Sequence, residues 1–131
     1  MPRHWLLKTE PSAYSWDDLA RDKTATWDGV RNPVALRHLA AMKPGDDALI
    51  YHTGNEKAVV GLARVTRSAY PDLGAKDLKA LVVDITAVRP LDRTVALAEI
   101  KADAAFAESP LVRQGRLSVV PLTDEQFARL I

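Results

Sequence analysis

The sequence predicts an α+β domain: a curved, mainly antiparallel β-sheet, forming a small, partly closed barrel, with short α-helices at its open ends or flanks. Three observations lead there. The middle of the chain holds three consecutive strand-like runs joined by hairpin-like connections, which favours antiparallel neighbours. The helical segments are short and set off by capping or proline signals. The chain has 131 residues, 47% of them apolar and 27% charged, which is enough for one domain with its own core.

The elements follow in chain order. His4 to Thr9 is a short, mostly apolar strand stopped by Pro11. Ser15 with Asp18 three residues later resembles a capping box and opens a helix from Trp16 to about Arg21. Asn32-Pro33 opens a second helix, Asn as cap and Pro at its first position; Val34, Leu36, Leu39, Ala40 and Met42 keep roughly helical spacing up to Lys43. Pro44-Gly45-Asp46 is a turn. Ala48–His52 is a strand, Gly54-Asn55 a hairpin turn, and Ala58–Ser68 the next strand, with Gly61 a point of bulging or curvature. A loop begins at Tyr70-Pro71-Asp72. Ala80–Arg89 alternates as a third long strand, which Pro90 ends. Thr94 caps a short helix through Lys101, Asp103–Ala107 adds a turn, and Ser109-Pro110 breaks it. Leu117–Val120 is the last strand, and Thr123 with Gln126 is a capping box for a C-terminal helix. No linker or repeat interrupts residues 1–131, so the chain reads as a single domain.

Composition excludes several functions. Eighteen basic against 17 acidic residues give a net charge of +1, too little for a protein that grips any phosphate backbone. Cysteine is absent, which removes disulfides, thiolate metal sites and thiol nucleophiles. The N-terminal segment lacks a long apolar run, so the expectation is a cytoplasmic protein without a membrane segment, monomeric by default. Neither GxGxxG nor GxxxxGK[ST] occurs. His4, His38 and His52 show no metal-ligand spacing. Neither a metal nor a cofactor is therefore expected. Glu10 and Asp28 could pair as catalytic carboxylates, although a strand end and a turn cap account for them more simply.

The tryptophans are unevenly placed. Trp5, Trp16 and Trp27 all precede residue 28, with Tyr14 among them. Charges in this stretch balance: Arg3, Lys8, Arg21, Lys23 and Arg31 against Glu10, Asp17, Asp18, Asp22 and Asp28. Each tryptophan alone reads as core. Trp27, however, falls in Thr-Trp-Asp-Gly-Val-Arg-Asn, a loop-like run suited to a pocket rim. Flat aromatics beside amide, hydroxyl and carboxyl groups suit a nucleobase, which needs stacking on its faces and hydrogen bonds along its edge.

Several segments go further. Trp5-Leu6-Leu7-Lys8-Thr9-Glu10-Pro11, Tyr14-Ser15-Trp16, Trp27-Asp28-Gly29-Val30-Arg31-Asn32, Met42-Lys43-Pro44-Gly45-Asp46, Tyr51-His52, Ala69-Tyr70-Pro71-Asp72 and Arg113-Gln114-Gly115-Arg116-Leu117-Ser118-Val119 run in order through nearly the whole chain. In them the sequence closely resembles the EVE domain family of the PUA-like superfamily, related to YTH domains. The resemblance implies a PUA-like pseudo-barrel that binds DNA or RNA by taking one modified base into an aromatic pocket. By analogy with methyladenine readers, Lys8, Thr9 and Glu10 would contact the base edge. Trp27 with Asp28 would form one wall and Tyr70 with Pro71 the opposite one. Ser12, Tyr14 and Ser15 would line the entrance, and Arg31, Arg113 and Arg116 would meet flanking phosphates. Two positions depart from the family pattern: Pro33 follows the central Asn where a polar or aromatic residue is usual, and Gly115 stands where serine is common.

The leading expectation is thus a nucleic-acid-binding module without catalysis. Its rivals are a protein-interaction domain whose tryptophans are core, and an enzyme acting on a flipped base through Glu10 or Asp28. An open Trp27 facing Tyr70 would favour the first, and full burial of both the second.

Overall fold

The computed structural model describes residues 3–72, 74 and 80–131; most of the loop expected from Tyr70 onward lies outside them, and Tyr70 and Pro71 themselves extend a strand rather than open that loop. Six strands are present: β1 (His4–Thr9), β2 (Thr24–Trp27), β3 (Asp47–His52), β4 (Ala58–Pro71), β5 (Leu81–Ala96) and β6 (Val119–Leu122). The helices are α1 (Trp16–Asp22), α2 (Pro33–Ala41), α3 (Leu97–Ala102), α4 (Pro110–Arg113) and α5 (Asp124–Leu130), with a 3₁₀ turn at Ala104–Phe106. No helix among the described residues is long and apolar enough to cross a membrane.

The strands form one open sheet in the order β2-β5-β4-β3-β1-β6. Every neighbouring pair is antiparallel except β1 and β3. Those two run parallel because α1, β2 and α2 carry the chain back between them, a crossover that parallel strands require. Trp5, Leu6 and Leu7 of the interior strand β1 are all buried, on both sides of the sheet. The core continues through Leu49 and Ile50 of β3, Val83 and Ile85 of β5, and Leu39 of α2.

The caps read from the sequence are present. Ser15 and Asp18 form a reciprocal box at α1, and Thr123 and Gln126 another at α5. The Asn32 side chain accepts from the Val34 and Ala35 N–H groups, with Pro33 at the first helical position. Asp46, in the turn before β3, is 3% exposed. Its carboxylate accepts from the Arg3 backbone N–H (2.9 Å), the Trp5 indole (3.0 Å) and the Lys43 backbone N–H (3.0 Å). It thereby ties the start of β1 to the end of α2.

Five further expectations are corrected. Thr26 and Trp27, read as the start of a loop, end a strand that runs from Thr24 to Trp27. Its burial alternates, Ala25 and Trp27 inward and Thr24 and Thr26 outward, but four residues beside Gly29 give too short a pattern to stand out. Pro90 does not end β5. It lies opposite Gly61 where the β4–β5 register slips, and such an irregularity tolerates a residue without an N–H. The strand runs on to Ala96, and α3 begins there without a side-chain cap, so Thr94 caps nothing. Ser109-Pro110 starts a helix rather than breaking one: the Ser109 hydroxyl accepts the Leu111 N–H and Pro110 opens α4. The last strand begins at Val119 rather than Leu117.

Gly61 is the curvature point expected of it. The β3–β4 pairing skips Val60 beside it, and its missing side chain makes room for the Trp16 indole. A Cβ there would lie 2.3 Å from Trp16 Cδ2. Trp16 is 6% exposed, and its backbone N–H donates to His52 Nε2 at 2.9 Å. That bond requires the ring hydrogen on Nδ1, which faces Glu56 Oε1 at 2.7 Å. Helix α1 is therefore fixed to the β3–β4 hairpin by one indole and one imidazole.

Candidate nucleobase site

The sheet curls until its two edges approach without pairing. A cavity of about 630 Å³ occupies this seam, within the range of small-molecule sites, roughly 300–1,000 Å³. One side is β2 with the following Asp28, Gly29 and Val30. The other is Lys8 and Thr9 at the end of β1, with Ser118 just before β6. Ala13 and Tyr14 before α1, and Asp22 at its end, complete the lining.

Local structure places each group. The Thr9 hydroxyl donates to the Tyr14 carbonyl (2.7 Å) and the Lys8 N–H to the Ser118 carbonyl (2.9 Å). Gly29, at φ +77°, turns the chain between β2 and α2, a conformation that favours glycine. Trp27 is 8% exposed, so most of its ring is core and only part faces the cavity. Tyr14 meets it edge to face, with ring centroids 6.3 Å apart at 79°. The Tyr14 hydroxyl donates to Asp22 Oδ2 at 2.9 Å. Burial, then this bond to Asp22, pushes the Tyr14 phenol up to about 12. The Arg21 guanidinium, then the Tyr14 hydroxyl, holds the Asp22 carboxyl below its usual value. The Lys8 ammonium donates to the Gly115 carbonyl at 3.0 Å, and burial lowers its pKa. Asp28 is exposed and makes no side-chain hydrogen bond or ion pair among the described residues, which leaves a free carboxylate at the cavity wall.

Of the site residues read from the sequence, Lys8, Thr9, Tyr14, Trp27 and Asp28 share this cavity. Others lie elsewhere. The Glu10 carboxylate accepts from the Ser12 N–H and hydroxyl and from the Thr53 hydroxyl, turned toward the β3–β4 turn; it is no partner for Asp28. Ser12 is bound there with it, and Ser15 is occupied as the α1 cap. Tyr70 pairs with Val82 while Trp27 pairs with Val83. Adjacent residues of a strand point to opposite faces, so Tyr70 and Trp27 lie on opposite sides of the sheet. The Tyr70 hydroxyl instead donates to Asp84 Oδ1 (2.6 Å), which also accepts from the Thr26 hydroxyl (3.1 Å), and the Arg67 guanidinium lies 3.7 Å above the Tyr70 ring. Pro71 pairs opposite Leu81 beside it, away from the cavity. Arg31 and Arg116 are exposed, whereas Arg113 is bonded to Glu108 and to the Ala107 carbonyl.

Sequence reasoning missed Asp22, Ser118 and the β2 threonines. Alternation through Thr24-Ala25-Thr26-Trp27 was the one signal for the β2 residues; Asp22 and Ser118 reach the cavity only through the closure of the sheet. Among the described residues no group of three or more acidic or histidine side chains is placed to hold a metal.

Comparison with known proteins agrees with the motifs. The chain matches the family model of the EVE domain over residues 3–131. It is 32% identical to human thymocyte nuclear protein 1 across an alignment of 158 positions, covering 95% of this chain and 70% of that protein. A solved structure from Rhodopseudomonas palustris superposes with a TM-score of 0.91 at 41% identity, covering 98% of this chain and 90% of that one. The human THYN1 protein, solved in complex with 5-methylcytosine-containing DNA, superposes with a TM-score of 0.85 at 34% identity, covering 97% and 94%.

Proposed function

The chain belongs to the EVE domain family, and from that premise we propose that it is a DNA-binding reader that draws one methylated base, a 5-methylcytosine, into the seam cavity. The observation that carries this reading is the cavity itself: it has the volume for a flipped nucleobase and sets an indole beside a carboxylate that has no partner among the described residues. The complex of the human relative with 5-methylcytosine DNA supports the choice of ligand. Trp27 supplies the apolar wall for the ring and its added methyl group, and Tyr14 closes the entrance. The Asp28 carboxylate accepts from the exocyclic amine, a group that thymine and uracil lack. The Thr9 side chain and the Ser118 carbonyl are both engaged in bonds that hold β1 to its neighbours, so they shape the cavity more than they read the base. The protein binds and does not catalyse; this is supported by the engagement of Glu10 with Ser12 and Thr53, away from Asp28, and by that of Asp22, the other carboxylate of the cavity, with Tyr14 and Arg21.

The test is a binding panel: DNA and RNA strands carrying cytosine or 5-methylcytosine against the wild type, Trp27→Ala and Asp28→Asn. Stacking worth about 1–3 kcal/mol per base predicts a loss of roughly 5- to 150-fold for Trp27→Ala. Asp28→Asn, at an exposed position, tests edge recognition without disturbing the core. Equal affinity for methylated and unmethylated strands, or full affinity in both variants, would sink the reading.

A further inference from the structure

Beside the seam cavity lies a smaller hollow of about 270 Å³. Lys8 lines both, so the two adjoin at this side chain. The floor of the hollow is apolar, from Tyr51 of β3, Leu97 of α3 and Val112 of α4. Its rim carries three lysines, Lys8, Lys57 and Lys101. None of them forms an ion pair among the described residues. The nearby carboxylates, Glu10 and Glu56, are bound to Ser12 and Thr53 and to His52 rather than to the lysines. Lys57 also sits at φ +47°, which is unusual for a residue with a side chain. The bond from the Leu97 N–H to its carbonyl (2.8 Å) holds it there. Lys8, bonded to the Gly115 carbonyl, and the exposed Lys57 and Lys101 place positive charge on one concavity, which favours an anion there. The hollow is less than half the size of the seam cavity, which suits a phosphate and its sugar better than a second base.

The geometry points to a phosphodiester subsite: the nucleotide next to the cavity-bound base rests its sugar on Leu97 and Val112 and its phosphate between Lys57 and Lys101, with Lys8 at the junction. This rests on the base-reading function proposed above and adds a direction to it. The strand leaves the seam past Gly115 and runs toward α3. It also replaces Arg113, held by Glu108, as the phosphate contact on this side.

The probe is a short single-stranded DNA with one central 5-methylcytosine, measured between about 50 and 200 mM salt. Lys57→Ala/Lys101→Ala should weaken binding about tenfold and flatten the logarithmic salt slope by about 1.4, that is roughly 0.7 for each lost contact to a single strand. An Arg37→Ala/Lys43→Ala control removes the same charge elsewhere and should leave the slope in place. Free 5-methyl-2′-deoxycytidine should bind wild type and the Lys57/Lys101 variant alike. An unchanged slope and affinity in that variant would overturn the subsite whatever Trp27→Ala does. A flattened slope alongside indifference to methylation and to Trp27→Ala would keep the subsite and remove the base reading. Failure of the wild type to bind any strand would overturn both.

Discussion

Gly61→Ala is a one-carbon change whose effect should reach the cavity. The added Cβ would lie 2.3 Å from Cδ2, 2.4 Å from Cε3 and 2.6 Å from Cε2 of Trp16. Apolar atoms settle at about 3.5–4.0 Å, so the indole must retreat by more than an ångström. It has little freedom to do so, being buried and bonded through its own backbone to His52. Overpacking of this kind costs about 1–3 kcal/mol, equivalent to a fall in Tm of roughly 3–12 °C in a domain of this size. Movement of α1 would carry Tyr14 and Asp22 with it, so affinity for methylated DNA should fall as well. The decisive assay is a thermal-unfolding double-mutant cycle with Trp16→Leu. The smaller side chain costs stability on its own, but it should relieve the clash, making the double variant about 1–2 kcal/mol more stable than the sum of the single effects. Additive losses, or an unchanged Tm in Gly61→Ala, would refute the packing argument.

Two other predictions concern pH and the polar ties. Burial alone would raise the Asp46 carboxyl, but donation from the Arg3 N–H, the Trp5 indole and the Lys43 N–H outweighs it and holds the group below its usual value. A depressed folded pKa contributes stability that is present above the unfolded value of about 4 and is lost as pH falls through the folded one. Asp46→Ala should therefore cost about 2–4 kcal/mol near neutrality in chemical denaturation and flatten the acid limb of the stability profile; an unaltered limb would assign that limb to other carboxylates. Tyr14 titrates near 12, above the ordinary phenol value of about 10, so the unfolded chain ionises first and stability falls as pH rises from 10 toward 12. Tyr14→Phe should lose about 0.5–1.5 kcal/mol, reduce that alkaline decline and remove the latest phenol from an absorbance titration; a titration matching wild type would place the high pKa on Tyr51, which burial also raises.

What the sequence revealed was decided by how local each signal is. Ser15 with Asp18, Asn32-Pro33 and Thr123 with Gln126 act within four residues, and all three caps are where they were read. Pro90 misled because a proline's effect on a strand depends on its partner, here Gly61 at a register slip and 29 positions earlier in the chain, which no local cue reveals. Tyr70 misled for a related reason. Which face it takes depends on its pairing with Val82 rather than Val83, and the irregularities in β4 that set this pairing have no mark in the sequence. Trp27 was found because its motif is distinctive. Its largely buried state was not, because the strand beneath it is only four residues long.

The central position of β1 has a consequence for how the protein is made. His4 pairs with Asp47 on one side and with Leu122 on the other. β1 therefore waits for β6, more than a hundred residues later, before both its edges are filled. Lys8, Thr9 and Ser118 come into register only at that late moment, so no partial chain holds a half-formed pocket. Contacts between such distant residues slow folding, and the binding site should appear in a single step with the closure of the sheet.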